Sequence, residues 1–289
     1  MSDEEAMSLK GNVLLQKSFV TPHAVPAFLR ASAIRVVAGS MLLGAVFAAI
    51  AALVAPDAKD RVSCALSASV CIVAFYHYVK LCKIRDQEGT RVTLSKPGEV
   101  PSGQASELKW SWQEMVADGV RYSDWAVTLP PLVVELHIMV NGHTHLFSVA
   151  WSCLLVVLMV ALGAFSRLGT DELVPPAKDE NATLARGIGL FSFLGSCVCL
   201  FLVLFNLLSG LGDDPSNGWV FAFSLPWSFY GITALLAIVW RQFQTEGYPE
   251  ALSITKDILF GFLDVWSKAV FAFWVASKAL GYNEVFFGI

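Results

Sequence analysis

The amino-acid sequence predicts an all-α membrane protein, a bundle of seven transmembrane helices. Two observations predict the bundle. Of the 289 residues, 55% are apolar and only 15% are charged, far from the balance of a soluble domain. The apolar residues also form seven runs of about 20, enough to cross a hydrocarbon core of about 30 Å. The predicted spans are 31–55, 61–84, 114–140, 146–165, 185–208, 219–240 and 254–280.

The predicted domain organisation is simple. One seven-helix domain covers residues 31–281, between an N-terminal tail (1–30) and a short C-terminal tail (282–289). The N-terminal tail has charges and no apolar core followed by a cleavage site, so we expect no signal peptide. The six cysteines lie in or at the ends of apolar spans, which indicates membrane packing rather than disulfides or metal ligands.

The orientation in the membrane is predicted in two opposite ways. Lysine and arginine are concentrated on the N-terminal side of the membrane, which would place the N-terminus in the cytoplasm. The glycosylation sequon Asn181–Thr183 is on that same side and would place the N-terminus outside.

In the long loop 86–113, the segment Thr90–Leu94 is predicted to be extended.

Two ionisable residues stand in the last span. Asp264 and Lys268 are four residues apart, so on a helix they share one face and can form a pair. Charges at that depth are costly and usually functional. Spacing alone allows either a helix-pairing lysine or a desolvated amine that attacks a carbonyl to form a Schiff base.

The third span carries a row of polar residues. Asp124, Thr128 and Glu135 follow i, i+4, i+11 spacing and share one face, with Arg121 one turn before Asp124. The two carboxyls are roughly 16 Å apart along the helix axis. They resemble the stations of a proton relay, although charges that only hold helices together would give the same pattern.

The histidines are ambiguous on their own. His77 in the second span is more typical of a packed, hydrogen-bonded side chain than of a functional one. His137, His143 and His145 lie near a turn, but no carboxylate or cysteine completes a metal site. We therefore expect these three to be solvated loop histidines and expect no bound metal.

Three motifs together resemble those of the microbial (type 1) rhodopsins. They are Arg-Tyr-x-Asp-Trp-x-x-Thr-x-Pro at 121–130, Trp-Ser-x-Tyr at 227–230 and Asp-x-x-x-Lys at 264–268. The resemblance covers nearly the whole chain. It implies that Lys268 carries all-trans-retinal as a protonated Schiff base, with Asp124 and Asp264 as counterions and Arg121 below them. The residues that it implies around the retinal are Trp125, Leu132, Trp227, Tyr230 and Trp266.

Within that family, the third span resembles the outward proton pumps of the proteorhodopsin and xanthorhodopsin type. The resemblance implies that Asp124 accepts the Schiff-base proton and that Glu135 later replaces it. It also implies that His77 hydrogen-bonds the counterion and so sets the pH range of pumping. Leu132 occupies the position at which leucine implies green absorption.

The chain departs from the family pattern at several positions. The proline that usually follows the sixth-span tyrosine is Gly231, and Pro226 instead precedes Trp227. Trp266 is bulkier than the usual residue beside the lysine. Phe193 occupies the position where a glycine would admit a carotenoid antenna, so we expect none. The acidic residues available for proton release are Glu246, Glu250 and Asp257.

The leading hypothesis is therefore a light-driven outward proton pump, an ion transporter rather than an enzyme. A light-gated cation channel and a photosensor with a transducer partner are the alternatives. A chloride pump is disfavoured, because Asp124 would repel the anion. The expected partners are the lipid bilayer, protons and further copies of the chain, without nucleic acid. The expected location is a plasma or organelle membrane, with the N-terminus outside as the family implies.

Overall fold

A computed structural model describes residues 24–94, 103–140, 146–170, 180–210, 218–243 and 250–282. Regular secondary structure in these ranges is entirely helical. The helices are α1 (Ala24–Val54), α2 (Ala58–Leu94), α3 (Gly103–Met139), α4 (Leu146–Thr170), α5 (Glu180–Ser209), α6 (Gly218–Phe243), α7 (Glu250–Asp264) and α8 (Phe271–Ala279). The π-helical segment Val265–Val270 joins α7 to α8. Seven helical rods result, which confirms the predicted fold class.

Five of these rods are long and apolar enough to cross a membrane within the described ranges. Their candidate spans are Phe28–Val54, Ala58–Asp86, Leu146–Arg167, Gly187–Ser209 and Ile254–Ala279. The third rod, α3, is less apolar because it carries the charged and polar residues singled out above. Large apolar side chains face outward on the rods, as Phe147 and Phe191 do, each 80% exposed. A bilayer would cover that surface.

The first, second and seventh rods pack closely because small side chains separate them. Ala45 and Ala48 of α1 form a buried cluster with Ala68 and Cys71 of α2 and Ala272 of α8. Small residues let helix backbones approach closely, so that van der Waals contact can hold membrane helices together. The three rods that meet here include the one carrying Lys268.

The helices extend beyond several predicted boundaries. Helix α2 continues to Leu94, so the extended segment predicted at Thr90–Leu94 is wrong. A helix that leaves the membrane no longer needs apolar residues, and β-branched residues such as Thr90 lower helix propensity only slightly. Helix α1 already begins at Ala24, inside the predicted tail.

Gly44 allows α1 to approach the segment that carries Lys268. A Cβ atom at Gly44 would lie 3.1 Å from the Cα atom of Ala269 and 3.3 Å from the Sγ atom of Cys71. The nearest neighbour is backbone, which cannot rotate away as a side chain can. Only a residue without a side chain fits this contact without moving the π-helical segment.

We expect Gly44→Ala to destabilise the protein by about 1–3 kcal/mol, the usual cost of overpacking. Thermal unfolding in detergent measures this. Gly39→Ala on the same helix is the matched control, since a Cβ atom there meets no atom within 4 Å. Equal stability of the two variants would contradict the close contact.

Candidate functional site

Lys268 lies between two carboxylates in the centre of the bundle. Its side chain is 1% exposed. The Nζ atom is 2.5 Å from Asp124 Oδ2 on α3 and 3.3 Å from Asp264 Oδ1, one turn earlier on its own rod. Lys268 belongs to the π-helical segment Val265–Val270, a wide turn often found at functional sites. A buried ammonium needs such anions, because its removal from water is otherwise very costly.

Three hydrogen-bond donors hold the Asp264 carboxylate in place. They are the hydroxyls of Tyr78 and Tyr230, each 2.6 Å away, and the indole Nε1 of Trp125 at 3.2 Å. Donors of this kind stabilise a carboxylate in its ionised form. Asp264 is therefore the fixed anion of the pair, and the role of Tyr78 in holding it was not anticipated from the sequence.

The Asp124 carboxylate has fewer hydrogen-bond donors than that of Asp264. Its Oδ2 atom bonds to Lys268, but its Oδ1 atom has no hydrogen-bond partner among the described residues. The Thr128 hydroxyl donates to the backbone carbonyl of Asp124 at 2.8 Å, not to the carboxylate. With one oxygen lacking a donor, Asp124 is the better placed of the two carboxylates to accept a proton from the Lys268 nitrogen.

His77 does not make the expected hydrogen bond to Asp124. Its Nδ1 atom lies 3.7 Å from Asp124 Oδ1, close enough for an ion pair but too far for a hydrogen bond. The same atom is 2.8 Å from the backbone carbonyl of Val73, one turn earlier. Since a carbonyl only accepts, the Nδ1 hydrogen is directed to the backbone and not to the counterion.

Glu135 lies near the opposite end of α3 in an apolar environment. It is completely buried, and the Ser67 hydroxyl of α2 donates to its Oε1 atom at 2.5 Å. Its Oε2 atom has no hydrogen-bond partner within the described part of the chain. The buried side chains of Leu132 and Val133 lie on α3 between the two acidic positions. Glu135 is thus separated from Lys268 by an apolar layer.

A second charged group lies on the other side of Lys268, centred on Asp257 of α7. Three guanidinium groups contact this buried carboxylate. They belong to Arg30 of α1, to Arg85 of α2 at 3.0 Å and to Arg121 of α3 at 2.5 Å. All four side chains are at least 95% buried. Arg121 lies one helical turn before Asp124, but its guanidinium group points to Asp257.

Asp118 extends this group to a further helix. Its carboxylate accepts from Arg121 at 3.1 Å, from Arg167 of α4 at 2.6 Å and from Lys256 of α7 at 2.9 Å. We call Asp118 and Asp257, with the cations that contact them, the aspartate cluster. It joins α1, α2, α3, α4 and α7 at one end of the bundle. Apart from the pair of Arg121 with Asp118, three residues apart on α3, its pairings join residues on different helices, so helical spacing could not reveal them.

His137 is buried rather than solvated, so the expectation for this residue is wrong. It is 2% exposed, and its Nε2 atom lies 3.1 Å from the Ser152 hydroxyl on α4. Asn206 of α5 donates to the same hydroxyl at 2.6 Å. His137 lies in the last turn of helix α3, which ends at Met139, so its side chain packs against α4. His143 and His145 lie outside the described residues.

A cavity beside the Lys268 site is bounded mainly by aromatic and apolar side chains. Trp125, Trp227 and Tyr230 line it, together with Phe193. Trp125 and Tyr230 also donate to Asp264, so the cavity begins next to the lysine. The other lining residues include Leu129, Met159, Val160, Gly163, Ser196, Cys197, Leu200, Gly231, Ala234 and Phe260.

Two residues implied for the retinal pocket do not line this cavity. Leu132 is 1% exposed in the hydrophobic core. Trp266 is half-buried and directs its indole N–H to the backbone of α6.

The aspartate cluster forms a charged part of the cavity wall. Its four residues that line the cavity are Asp118, Arg121, Arg167 and Lys256.

The model of one protein family matches residues 29–280 of the chain, nearly its whole length. That family is described as "Bacteriorhodopsin-like protein". The chain belongs to this family. Bacteriorhodopsin-like proteins are integral membrane proteins that bind retinal and act as light-driven ion transporters, not enzymes. No curated protein sequence is a significant match.

Solved structures of microbial rhodopsins share the fold at low sequence identity. Xanthorhodopsin, a light-driven ion pump with a dual chromophore, has a TM-score of 0.63 and 20% identity, covering 92% of this chain and 96% of its own. A proton-pumping rhodopsin from the marine alga Acetabularia acetabulum has a TM-score of 0.60 and 17% identity, covering 87% and 94%. Halorhodopsin, a light-driven chloride pump, has a TM-score of 0.58 and 15% identity, covering 89% and 98%. Similarity at this level supports the fold and does not distinguish the transported ion.

The residues present fit the retinal that this family binds. Lys268 supplies a buried primary amine, and the cavity next to it supplies aromatic walls on Trp125 and Trp227. The free oxygen of Asp124 adds an acceptor beside the lysine nitrogen. Light-driven ion transport is therefore consistent with the chain's own side chains as well as with its family.

We expect Asp257→Asn to destabilise the protein strongly, because three buried guanidinium groups would lose a shared carboxylate. Loss of one partner of a buried ion pair costs about 3–5 kcal/mol. Thermal unfolding in detergent measures the change. Asp86→Asn is the control, since Asp86 pairs with Arg35 at 2.8 Å where both side chains are exposed, and such pairs contribute about 1 kcal/mol or less. Similar losses in the two variants would contradict this role of the aspartate cluster.

Proposed function

We propose that this protein is a light-driven outward proton pump. Retinal would be bound covalently to Lys268, Asp124 would be the proton acceptor and Glu135 the proton donor. The observation that carries the proposal is the contact between Lys268 Nζ and Asp124 Oδ2 at 2.5 Å. It gives the lysine nitrogen a direct acceptor that still has one oxygen without a hydrogen-bond donor.

The first proton transfer follows from that contact. When bound, retinal supplies light absorption and a photoisomerisation that turns the linked nitrogen. The Lys268 nitrogen would then give its proton to Asp124, while Asp264 keeps its hydrogen bonds from Tyr78, Tyr230 and Trp125. Arg121, held by Asp257, presents positive charge on the exit side of the acceptor.

The second transfer uses Glu135 as a proton reserve. Complete burial and an apolar setting favour the neutral, protonated carboxyl, which then reprotonates the Lys268 nitrogen. The layer at Leu132 and Val133 blocks this transfer in the resting protein. Opening of that layer after the first transfer would give the pump its direction.

Asp124 also argues against chloride as the transported ion. A carboxylate 2.5 Å from the lysine nitrogen occupies the place where a chloride ion would have to neutralise that charge. Halorhodopsin shares the fold, but the acidic side chains of this chain favour proton transfer.

Further features of the proposed pump come from the resemblance to proteorhodopsins and xanthorhodopsins. We propose green absorption with Leu132 as the tuning residue, and modulation of Asp124 by His77 through charge. We also propose an N-terminus outside, all-trans-retinal as the bound isomer and assembly of several copies. The aspartate cluster would lie on the outer side in this orientation.

The pumping assay uses cells that express the protein in the presence of all-trans-retinal. Illumination should acidify the medium, and a protonophore should abolish the signal. Lys268→Ala should produce no visible absorption and no pH change. Photocurrents that reverse sign with membrane voltage would instead show a channel, and medium alkalinisation would show inward transport.

Glu135→Gln should slow the return of the proton to the Lys268 nitrogen. Positioned proton donors accelerate transfer by about 10²–10⁴-fold, so we expect a loss of at least about a hundredfold. Flash photolysis measures it as delayed recovery of the visible band. Ser67→Ala, which removes the hydroxyl bonded to Glu135, should change the same step less. Ser69→Ala is its control, because Ser69 is exposed and, among the described residues, its hydroxyl bonds to the carbonyl of Ala65 alone. An unchanged recovery in Glu135→Gln would remove Glu135 as the donor.

A further inference from the structure

Pro226 leaves a backbone carbonyl of α6 without its usual partner. In an α-helix, each carbonyl accepts from the N–H four residues later. Proline has no N–H, so the carbonyl of Ala222 lacks that bond inside the helix. Pro226 lies within α6 and immediately precedes Trp227, which lines the cavity.

The indole of Trp266 donates to that carbonyl. Its Nε1 atom lies 3.3 Å from the Ala222 oxygen. Trp266 belongs to the π-helical segment, two residues before Lys268. The contact therefore links the lysine segment to the one turn of α6 in which a proline has removed a hydrogen bond.

Aromatic packing surrounds this link. Phe223, the residue after Ala222, has its ring centroid 6.0 Å from that of Trp266 and 5.0 Å from that of Phe271. Phe223 is 2% exposed and also packs against Trp274 at 5.5 Å. The hydrogen bond is thus held between two rods that already share a close interface.

The two sequence departures in this region have one structural explanation. The proline shift to position 226 exposes a carbonyl, and the bulky Trp266 supplies a donor that reaches it. A smaller residue beside the lysine could not bridge to α6. From Lys268, the path runs through Trp266 and Ala222 to Pro226 and Trp227, and it ends at the wall of the cavity.

We propose that Trp266 is a positioning residue that latches α6 to the lysine segment in the dark. Displacement of Lys268 or Trp227 would strain the bond between Trp266 and Ala222. Its rupture would free the turn at Pro226 and allow α6 to move away from the apolar layer near Glu135. The dark-state latch is independent of the transported ion, whereas its part in reprotonation rests on the proposed function.

A double-mutant cycle tests the latch. Trp266→Phe keeps an aromatic ring and removes only the donor, while Pro226→Ala restores the N–H that satisfies Ala222 within the helix. Hydrogen–deuterium exchange of the amides at residues 227–230 in the dark reports local opening. Loss of one hydrogen bond should speed this exchange about fivefold in Trp266→Phe. In the Pro226→Ala background, the same substitution should change it less than about twofold.

Two results would overturn the latch. One is unchanged exchange in Trp266→Phe. The other is an equal effect in both backgrounds, which would assign the change to ring packing rather than to the hydrogen bond.

A measurement on the unaltered protein keeps the test valid if the variant does not fold. In ¹⁵N-tryptophan-labelled protein, the Trp266 indole hydrogen should exchange at least about fivefold more slowly than that of Trp227. The Trp227 Nε1 atom has no hydrogen-bond partner among the described residues. Equal exchange of the two indoles would argue against the bond.

The light-dependent part is tested on the retinal-loaded full-length protein. Trp266→Phe should speed reprotonation of the Lys268 nitrogen about threefold or more, because no bond has to break before α6 moves. The double variant should match Pro226→Ala alone. If Trp266→Phe speeds the dark exchange but leaves the reprotonation rate unchanged, the hydrogen bond has no role in coupling. Absence of any proton transport would overturn the proposed function and leave the dark latch intact.

Discussion

The ion triad of Lys268, Asp124 and Asp264 is the constraint on which the rest of the site depends. One cation between two anions, all at least 98% buried, persists only if each charge has a partner. The surrounding polar groups meet that condition unequally. Three donors hold Asp264, whereas Asp124 relies on the lysine. The triad therefore contains one anion fixed in place and one ready to be neutralised, an asymmetry that proton transfer requires.

The charges of the bundle are also distributed unevenly along its axis. On one side of the triad, the aspartate cluster places five cationic side chains and two carboxylates within hydrogen-bonding networks. On the other side, the described part of α3 offers Leu132 and Val133 before Glu135. A charge leaving the lysine finds a polar environment in one direction and an apolar barrier in the other. Glu135 must therefore be protonated and neutral if it is to donate a proton across that barrier.

The features predictable from the sequence are those encoded within one helix. Spacing placed Asp264 beside Lys268, and the acidic residues of the third span on one face. Contacts between rods were not predictable, because Arg30 and Asp257 are 227 residues apart and no periodicity relates them. The same limit applies to Ser67 at Glu135 and to Tyr78 at Asp264. The hydrogen bond implied between His77 and the counterion is not formed, because its Nδ1 atom lies 2.8 Å from the backbone carbonyl of Val73. His137 was misjudged because its partner, Ser152, lies on another helix.

The aspartate cluster has a mechanical consequence. It ties five rods together at one end of the bundle, while the described residues of α5 and α6 contribute none of its members. Rods fixed at one end act as levers with a common fulcrum. A displacement of a fraction of an ångström at the lysine would then be small at the fixed end and larger at the free one. The helices would therefore keep their positions at the end that holds the aspartate cluster and would move at the apolar end near Glu135.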